Sequence, residues 1–344
     1  MEQEQQVVIN DNEMSKEKRI LNRAISFWGA IRRVFGKLGP IGSVLLANIL
    51  LIIILSFLSP YFFKITNITN IFRQSAPLAM VALGITIVII SGGIDLSVAA
   101  GISLTSVLLS MFLVDFGIPL PITLVIVFGL GILLGLYNGI LITILKIPPI
   151  IATLSSAIVF GGIAYTITQG YSINLPVDSA IKFLGGGKIW QIPVSIIIVV
   201  VVYYFTHLFL KNTGFGRIVY GLGGNAEAVY LSGISVRKFT LLIYMLCGLF
   251  TAFASILLTA RVANGHPNGG GGMEMDAIAA VVLGGTSIFG GSGNVWGTLI
   301  GVLTMTIIVN GLTLLNINPY IQLIVKGLVI AAAVGITSIR IAKK

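Results

Sequence analysis

The chain has 344 residues, 56% of them hydrophobic and only 9% charged, with a formal net charge of +10. A soluble fold of this composition would expose a mostly apolar surface, and disorder or coiled coil would need far more charge. What remains is an all-α, polytopic membrane protein, in which the placement of the positive charges matters more than their sum and does not imply nucleic acid.

Residues 1–40 form a polar tail with seven basic and five acidic side chains. The stretch 1–20 reads as disordered. The stretch 21–38 is amphipathic and basic, suited either to the inner membrane surface or to a solvated tail with one loose helix. An apolar core this far from Met1 is not a cleavable secretory signal, so the first span reads as a retained helix. A spanning helix needs about 20 mostly apolar residues. Ten segments qualify, roughly 41–63, 75–93, 96–114, 119–145, 148–168, 191–210, 239–260, 274–290, 294–313 and 318–338. Short glycine turns join the second to the third and the eighth to the ninth. Each of those pairs reads either as two crossings or as a re-entrant pair. The transmembrane domain is thus 41–338, with a basic tail at 339–344.

Orientation follows from Lys and Arg. With the N-terminus inside, the inner segments carry fifteen of the 21 basic residues: the tail, Lys146, Lys211, Arg217, Arg237, Lys238 and the C-terminal Arg340, Lys343 and Lys344. The outer segments carry five, Lys64, Arg73, Lys182, Lys188 and Arg261, and Lys326 falls inside the last span. This bias places both termini in the cytoplasm.

The longest inner loop, 211–238, is neither low-complexity nor merely charged. Its run 225–232 can form a short helix, with Asn225 as N-cap, Glu227 in the first turn and Gly233 as the stop. Such a helix reads either as a docking knob for a soluble partner or as a plain connector. Gly221-Leu-Gly223-Gly-Asn-Ala226 follows a strand-like RIVY and matches the dinucleotide fingerprint. That pattern needs a βαβ unit of about 30 residues with more sheet beyond it, which the loop cannot hold. No GxxxxGK[ST] occurs, so the chain has no phosphate-binding loop for ATP hydrolysis. Cys247 is the single cysteine, and His207 and His266 lack ligand spacing, so no metal site is expected.

Two glycine turns resemble each other: 91–97 (SGGIDLS) and 290–294 (GGSGN). Asp95 and Asp276 stand where N-caps of the third and eighth spans belong, with a pathway role as the alternative for Asp95. Lys326 lies near the middle of the last span. A lysine there costs about 2.5–3.5 kcal/mol on insertion scales, so it faces the protein interior or a wet cavity, as a gate residue or as a hydrogen-bonded strut. Gly131, Gly135 and Gly139, and Gly297 and Gly301, form seams for close helix approach. Asn138, Asn310 and Gln322 add intramembrane amides that pack across helices or meet a hydroxylated substrate. No catalytic constellation is visible.

A subunit energised from elsewhere needs a pathway, an ordered cytoplasmic segment and no nucleotide loop, which describes this chain. An ion-coupled secondary carrier of a small polar solute is the alternative, supported within the core only by Lys326. The segments 216–238 (GRIVYGLGGNAEAVYLSGISVRK), 91–97, 138–154 (NGILITILKIPPIIATL), 276–291 (DAIAAVVLGGTSIFGG) and 318–327 (NPYIQLIVKG) resemble the permeases of monosaccharide ABC importers. The ribose type is nearest and the galactose/methylgalactoside type next, over about 45–338. The resemblance implies a monosaccharide, ribose before galactose or xylose, and a homodimer forming the pathway in the bacterial inner membrane. It implies a separate cytoplasmic ATPase, in this family often double-domain, which holds ATP and Mg while this chain holds no cofactor. An extracytoplasmic sugar-binding protein delivers the substrate. Gly221, Asn225, Glu227, Ser232 and Gly233 would then belong to the coupling helix seated in the ATPase.

Overall fold

The computed structural model describes residues 39–176 and 179–341; the polar N-terminal tail and the end of the basic C-terminal tail lie outside the described residues. The helices are α1 (Gly39–Leu58), α2 (Ile65–Ile90), α3 (Val98–Val114), α4 (Leu120–Thr143), α5 (Pro149–Thr168), α6 (Lys182–Gly186), α7 (Val194–Asn212), α8 (Gly214–Leu231), α9 (Val236–Val262), α10 (Met273–Leu283), α11 (Val295–Leu314) and α12 (Pro319–Ile341). Two short antiparallel pairs, 173–174 with 264–265 and 188–189 with 192–193, tie down the loops at one end of the bundle.

Among the described residues, six helices are long and apolar enough to cross a membrane: α2, α4, α5, α7, α9 and α11. Three shorter apolar helices lie in α1, α3 and α12. The ends follow local chemistry. Pro119 precedes α4 and Pro148 precedes α5, where a missing N–H costs nothing. Asn294 Oδ1 accepts from Trp296 N at 2.8 Å and opens α11.

Two expected spans change. The second begins ten residues earlier than hydropathy indicates, at Ile65, because its polar residues find partners. The Asn67 and Asn310 amides exchange two hydrogen bonds of 3.1 and 2.9 Å between α2 and α11, and the Arg73 guanidinium donates to the Gly186 carbonyl. The eighth, expected over 274–290, is α10 with only 11 residues. At 1.5 Å per residue that is about 16 Å, half a bilayer core. Glycines set both limits: 269–272 precede the helix, and Gly284 and Gly285 end it.

α2 is the central post. Its apolar window is 89% buried, against 22% for α4 and 28% for α5, whose outward faces are apolar and lipid-suited. α2 packs on α9, α11 and α10. Association in lipid gains little from hydrophobicity and depends on close fit and polar bonds. The glycine seams supply the fit. A methyl group on Gly131 would strike the Gly248 carbonyl, one on Gly135 the Tyr244 carbonyl, and one on Gly301 the Ala280 carbonyl. Polar bonds add to it: Thr86 and Thr298 hydroxyls meet at 2.8 Å, and Asn48 donates to Thr304 at 2.8 Å.

The Asn67–Asn310 pair is open to a double-mutant cycle. Asn67→Ala leaves the buried Asn310 amide without its bonds, and Asn310→Ala strands Asn67 Oδ1 while Asn67 Nδ2 keeps its bond to the Phe62 carbonyl at 2.9 Å. Each should therefore cost about 1–2 kcal/mol, with the double change costing less than the sum. Additive losses in thermal unfolding of the detergent-solubilised chain would show that the pair contributes nothing.

Candidate functional site

The loop after α7 folds as one helix with a break. The Thr213 hydroxyl accepts from Gly216 N at 3.3 Å and starts α8. RIVY is helical here rather than a strand. At Asn225 the backbone leaves helical geometry (φ −160°, ψ 97°), and the chain restarts as a short helix over 226–231. Asn225 Oδ1 accepts from Ala228 N at 2.9 Å, the bond of an N-cap. Ser232 Oγ donates to the Ala228 carbonyl at 2.8 Å, and Gly233 turns the chain away at φ +79°. The short helix folds back so that Val229 packs over Gly221, whose Cβ position lies 3.1 Å from the Val229 side chain. Glu227 is exposed, as are Tyr230 (67%) and Leu231 (77%). The result is a small apolar-tipped knob with one carboxylate, held clear of the bundle.

The knob is anchored through Gly223. Gly291 N donates to the Ile90 carbonyl at 2.9 Å, joining the second glycine turn to the end of α2. Gly223 lies directly on that bond: a methyl group there would overlap both the Ile90 carbonyl and Gly291 N. Gly92 and Gly290 crowd the same point. The two glycine turns thus meet each other beneath α8. Tyr220 adds a hydrogen bond of 3.0 Å from its hydroxyl to the Gly293 carbonyl. Partial burial pushes the Tyr220 phenol above its ordinary range, which keeps it a neutral donor. Gly223 and Tyr220 thus join α8 to the end of α2 and to both glycine turns.

The intramembrane candidates separate. Asp95 does not cap the third span. Helix α3 starts at Val98, and Asp95 Oδ1 instead accepts from Ser97 N (2.9 Å) and Ser97 Oγ (2.7 Å) in a tight turn. Asn138 Nδ2 donates to the same Ser97 hydroxyl at 2.7 Å, so Asp95 and Asn138 belong to one buried network. Asn310 is consumed by Asn67. Gln322 donates to the Ile317 carbonyl at 3.0 Å and stitches the turn between α11 and α12. Asp276 is not an N-cap either: Gly272 holds that position, and Asp276 Oδ2 accepts from Lys326 Nζ at 2.6 Å. This supplies the lysine's partner across α10 and α12. The pair borders a cavity of about 130 Å³ that Gln74, Arg261, Met273 and Thr306 also line.

Sequence reasoning named Gly223 only inside a rejected dinucleotide pattern and passed over 268–272. The run of four glycines, 269–272, was the available signal for irregular backbone.

Comparison with known proteins agrees with this architecture. The profile of the family described as "Branched-chain amino acid transport system / permease component" matches residues 67–334. The ribose import permease protein of Bacillus subtilis (strain 168) is 42% identical over 302 residues, 88% of this chain and 92% of that protein. The ribose import permease protein of Escherichia coli (strain K12) is 39% identical over 293 residues, 84% and 91% of the two chains. The galactose/methyl galactoside import permease protein of Salmonella typhimurium (strain LT2) is 33% identical over 320 residues, 88% and 95%. No solved structure matches. The chain is a transport subunit and not an enzyme, a multi-pass protein of the bacterial plasma (inner) membrane. It belongs to the family described as branched-chain amino acid transport system / permease component, whose profile covers residues 67–334.

Proposed function

We propose that this chain is the membrane-spanning permease of an ATP-driven importer for a monosaccharide, ribose first and galactose or xylose next. The relatives named as ribose import permeases, at 42% and 39% identity over most of both chains, support the substrate class. Two copies form the pathway. A separate cytoplasmic ATPase, which holds ATP and Mg, powers it, and an extracytoplasmic sugar-binding protein loads it. This chain carries no cofactor of its own.

The observation that carries the coupling role is the separately capped, exposed helix 226–231, braced by Gly223 against both glycine turns. Closure of the ATPase pulls the two knobs together, and those contacts pass that motion to α2, α3 and α11. The spans then alternate between outward and inward access.

Glu227→Arg combined with Gly233→Pro tests this reading. The first reverses the knob's charge; the second forbids the φ of +79° that Gly233 adopts. Sugar-stimulated ATP turnover by the reconstituted complex should fall by roughly tenfold or more, the loss of one interface hot spot. The permease should remain folded, because neither side chain packs in the bundle. Unchanged turnover rejects the docking role. The ion pair Lys326–Asp276 is the one observation that favours a secondary carrier, which predicts uptake by this chain alone in liposomes driven by an ion gradient.

A further inference from the structure

The segment 263–272 enters the membrane from the outer side without forming a helix. Its depth is fixed by its neighbours. Helix α9 is 27 residues long, about 40 Å, and Thr251 stands slightly beyond its middle. Gly101 of α3 packs against Thr251, its Cβ position lying 3.0 Å from that side chain. Gly270 N donates to Ser103 Oγ at 3.0 Å, and Gly270 lies against the Ala99 carbonyl. Gly270 therefore sits near the bilayer centre. There α10 begins, and it covers only the inner half of the membrane.

This irregular backbone is not covered. Asn268, Gly269, Gly271 and Gly272 are exposed, and so is Met275, at 47%. The peptide groups bond in tight local turns, Gly269 N to the His266 carbonyl at 2.9 Å and Gly271 N to the Asn268 carbonyl at 3.2 Å, instead of in a helix ladder. Non-helical backbone at this depth cannot face lipid, because its polar groups have no partner there. It is tolerated only inside protein or along water. Charge decides between the two. Arg261 is exposed beside it, and the Lys326–Asp276 pair beneath it remains 23% and 17% exposed. A dry interface would have to pair Arg261 and satisfy the remaining donors and acceptors of the Lys326–Asp276 pair.

We infer that residues 266–275 form the wall of the water-filled translocation pathway at the level of the bilayer centre. There exposed peptide groups and the Asn268 amide offer neutral donors and acceptors to sugar hydroxyls. The inference rests on the permease reading above.

Cysteine accessibility tests it. The native chain has only Cys247, which is buried, so the background is low. Asn268→Cys, Gly269→Cys and Met275→Cys would be compared with Ile158→Cys, at the middle of α5 and 72% exposed on an apolar face. All would be assayed in the assembled complex in membrane vesicles. A charged, membrane-impermeant methanethiosulfonate should modify the three segment positions about tenfold faster than Ile158→Cys, because only they meet water. Rates no higher than at Ile158→Cys would overturn the inference, whether lipid or a second copy covers the segment. Labelling needs no transport assay, so this failure is separable from a failure of sugar uptake, which would count against the permease reading itself.

Discussion

Gly223→Val should cut sugar uptake by the reconstituted complex sharply while Gly224→Ala, one residue further on, leaves it intact. The contrast is steric. A Cβ on Gly223 would overlap the Ile90 carbonyl and Gly291 N, both backbone atoms, whereas a Cβ on Gly224 meets nothing within 4 Å. Valine must break the Gly291–Ile90 hydrogen bond and lift α8 from the glycine turns. Overpacking of this kind costs about 1–3 kcal/mol, and the lost hydrogen bond adds about 1 kcal/mol. The outward-facing parts of the bundle do not touch this contact, so the chain should still insert. Uptake should fall at least roughly tenfold, since about 1.4 kcal/mol already makes that factor. Measured uptake of labelled sugar at equal membrane content decides the matter. Full uptake by Gly223→Val would remove this contact from the coupling route.

Lys326→Met should destabilise the chain. It strands the Asp276 carboxylate inside the membrane. Removing one partner of a fully buried pair costs about 3–5 kcal/mol. The pair is roughly a fifth exposed, at 23% and 17%, so solvent screens part of that penalty and about 1–3 kcal/mol is expected. Asp276→Asn combined with Lys326→Met removes both charges and should recover most of the lost thermal stability in detergent. The pair of variants separates two roles. If Lys326→Met retains both assembly and uptake, the lysine is neither gate nor strut. If the double variant recovers stability but not uptake, the charges serve transport beyond holding α10 to α12.

The all-α membrane class was legible because lipid imposes a strong rule: a crossing needs about 20 apolar residues. Asn225 and Gly233 were legible too, since capping and a left-handed turn depend on residues a few positions apart. What hydropathy hid were features that depend on distant partners. The first ten residues of α2 read as too polar until Asn310 supplies Asn67 with an amide, 243 residues downstream. Asp276 looked like a cap because its partner stands 50 residues away in another helix. The half-length of α10 fits the re-entrant alternative left open for that pair, but its end was not placed, because a window over 274–290 averages a helix together with the glycine turn that ends it. Asn138 and Asn310 carried no mark to separate packing from pathway, because an amide serves either until its partner is placed.

The burial of α2 also governs the order in which the protein is made. Most of its neighbours, α9, α10 and α11, are translated long after it. While the ribosome works through residues 91–235, α2 lies in the membrane with the Asn67 amide still lacking its counterpart on residue 310 and the Thr86 hydroxyl lacking Thr298. A helix can enter the bilayer first and exchange lipid for protein contacts later. Here that exchange waits until the last third of the chain arrives. Chains truncated before α9 should therefore be recognised as unassembled by membrane quality-control proteases, and the bundle closes around its first-made post only when synthesis is nearly complete.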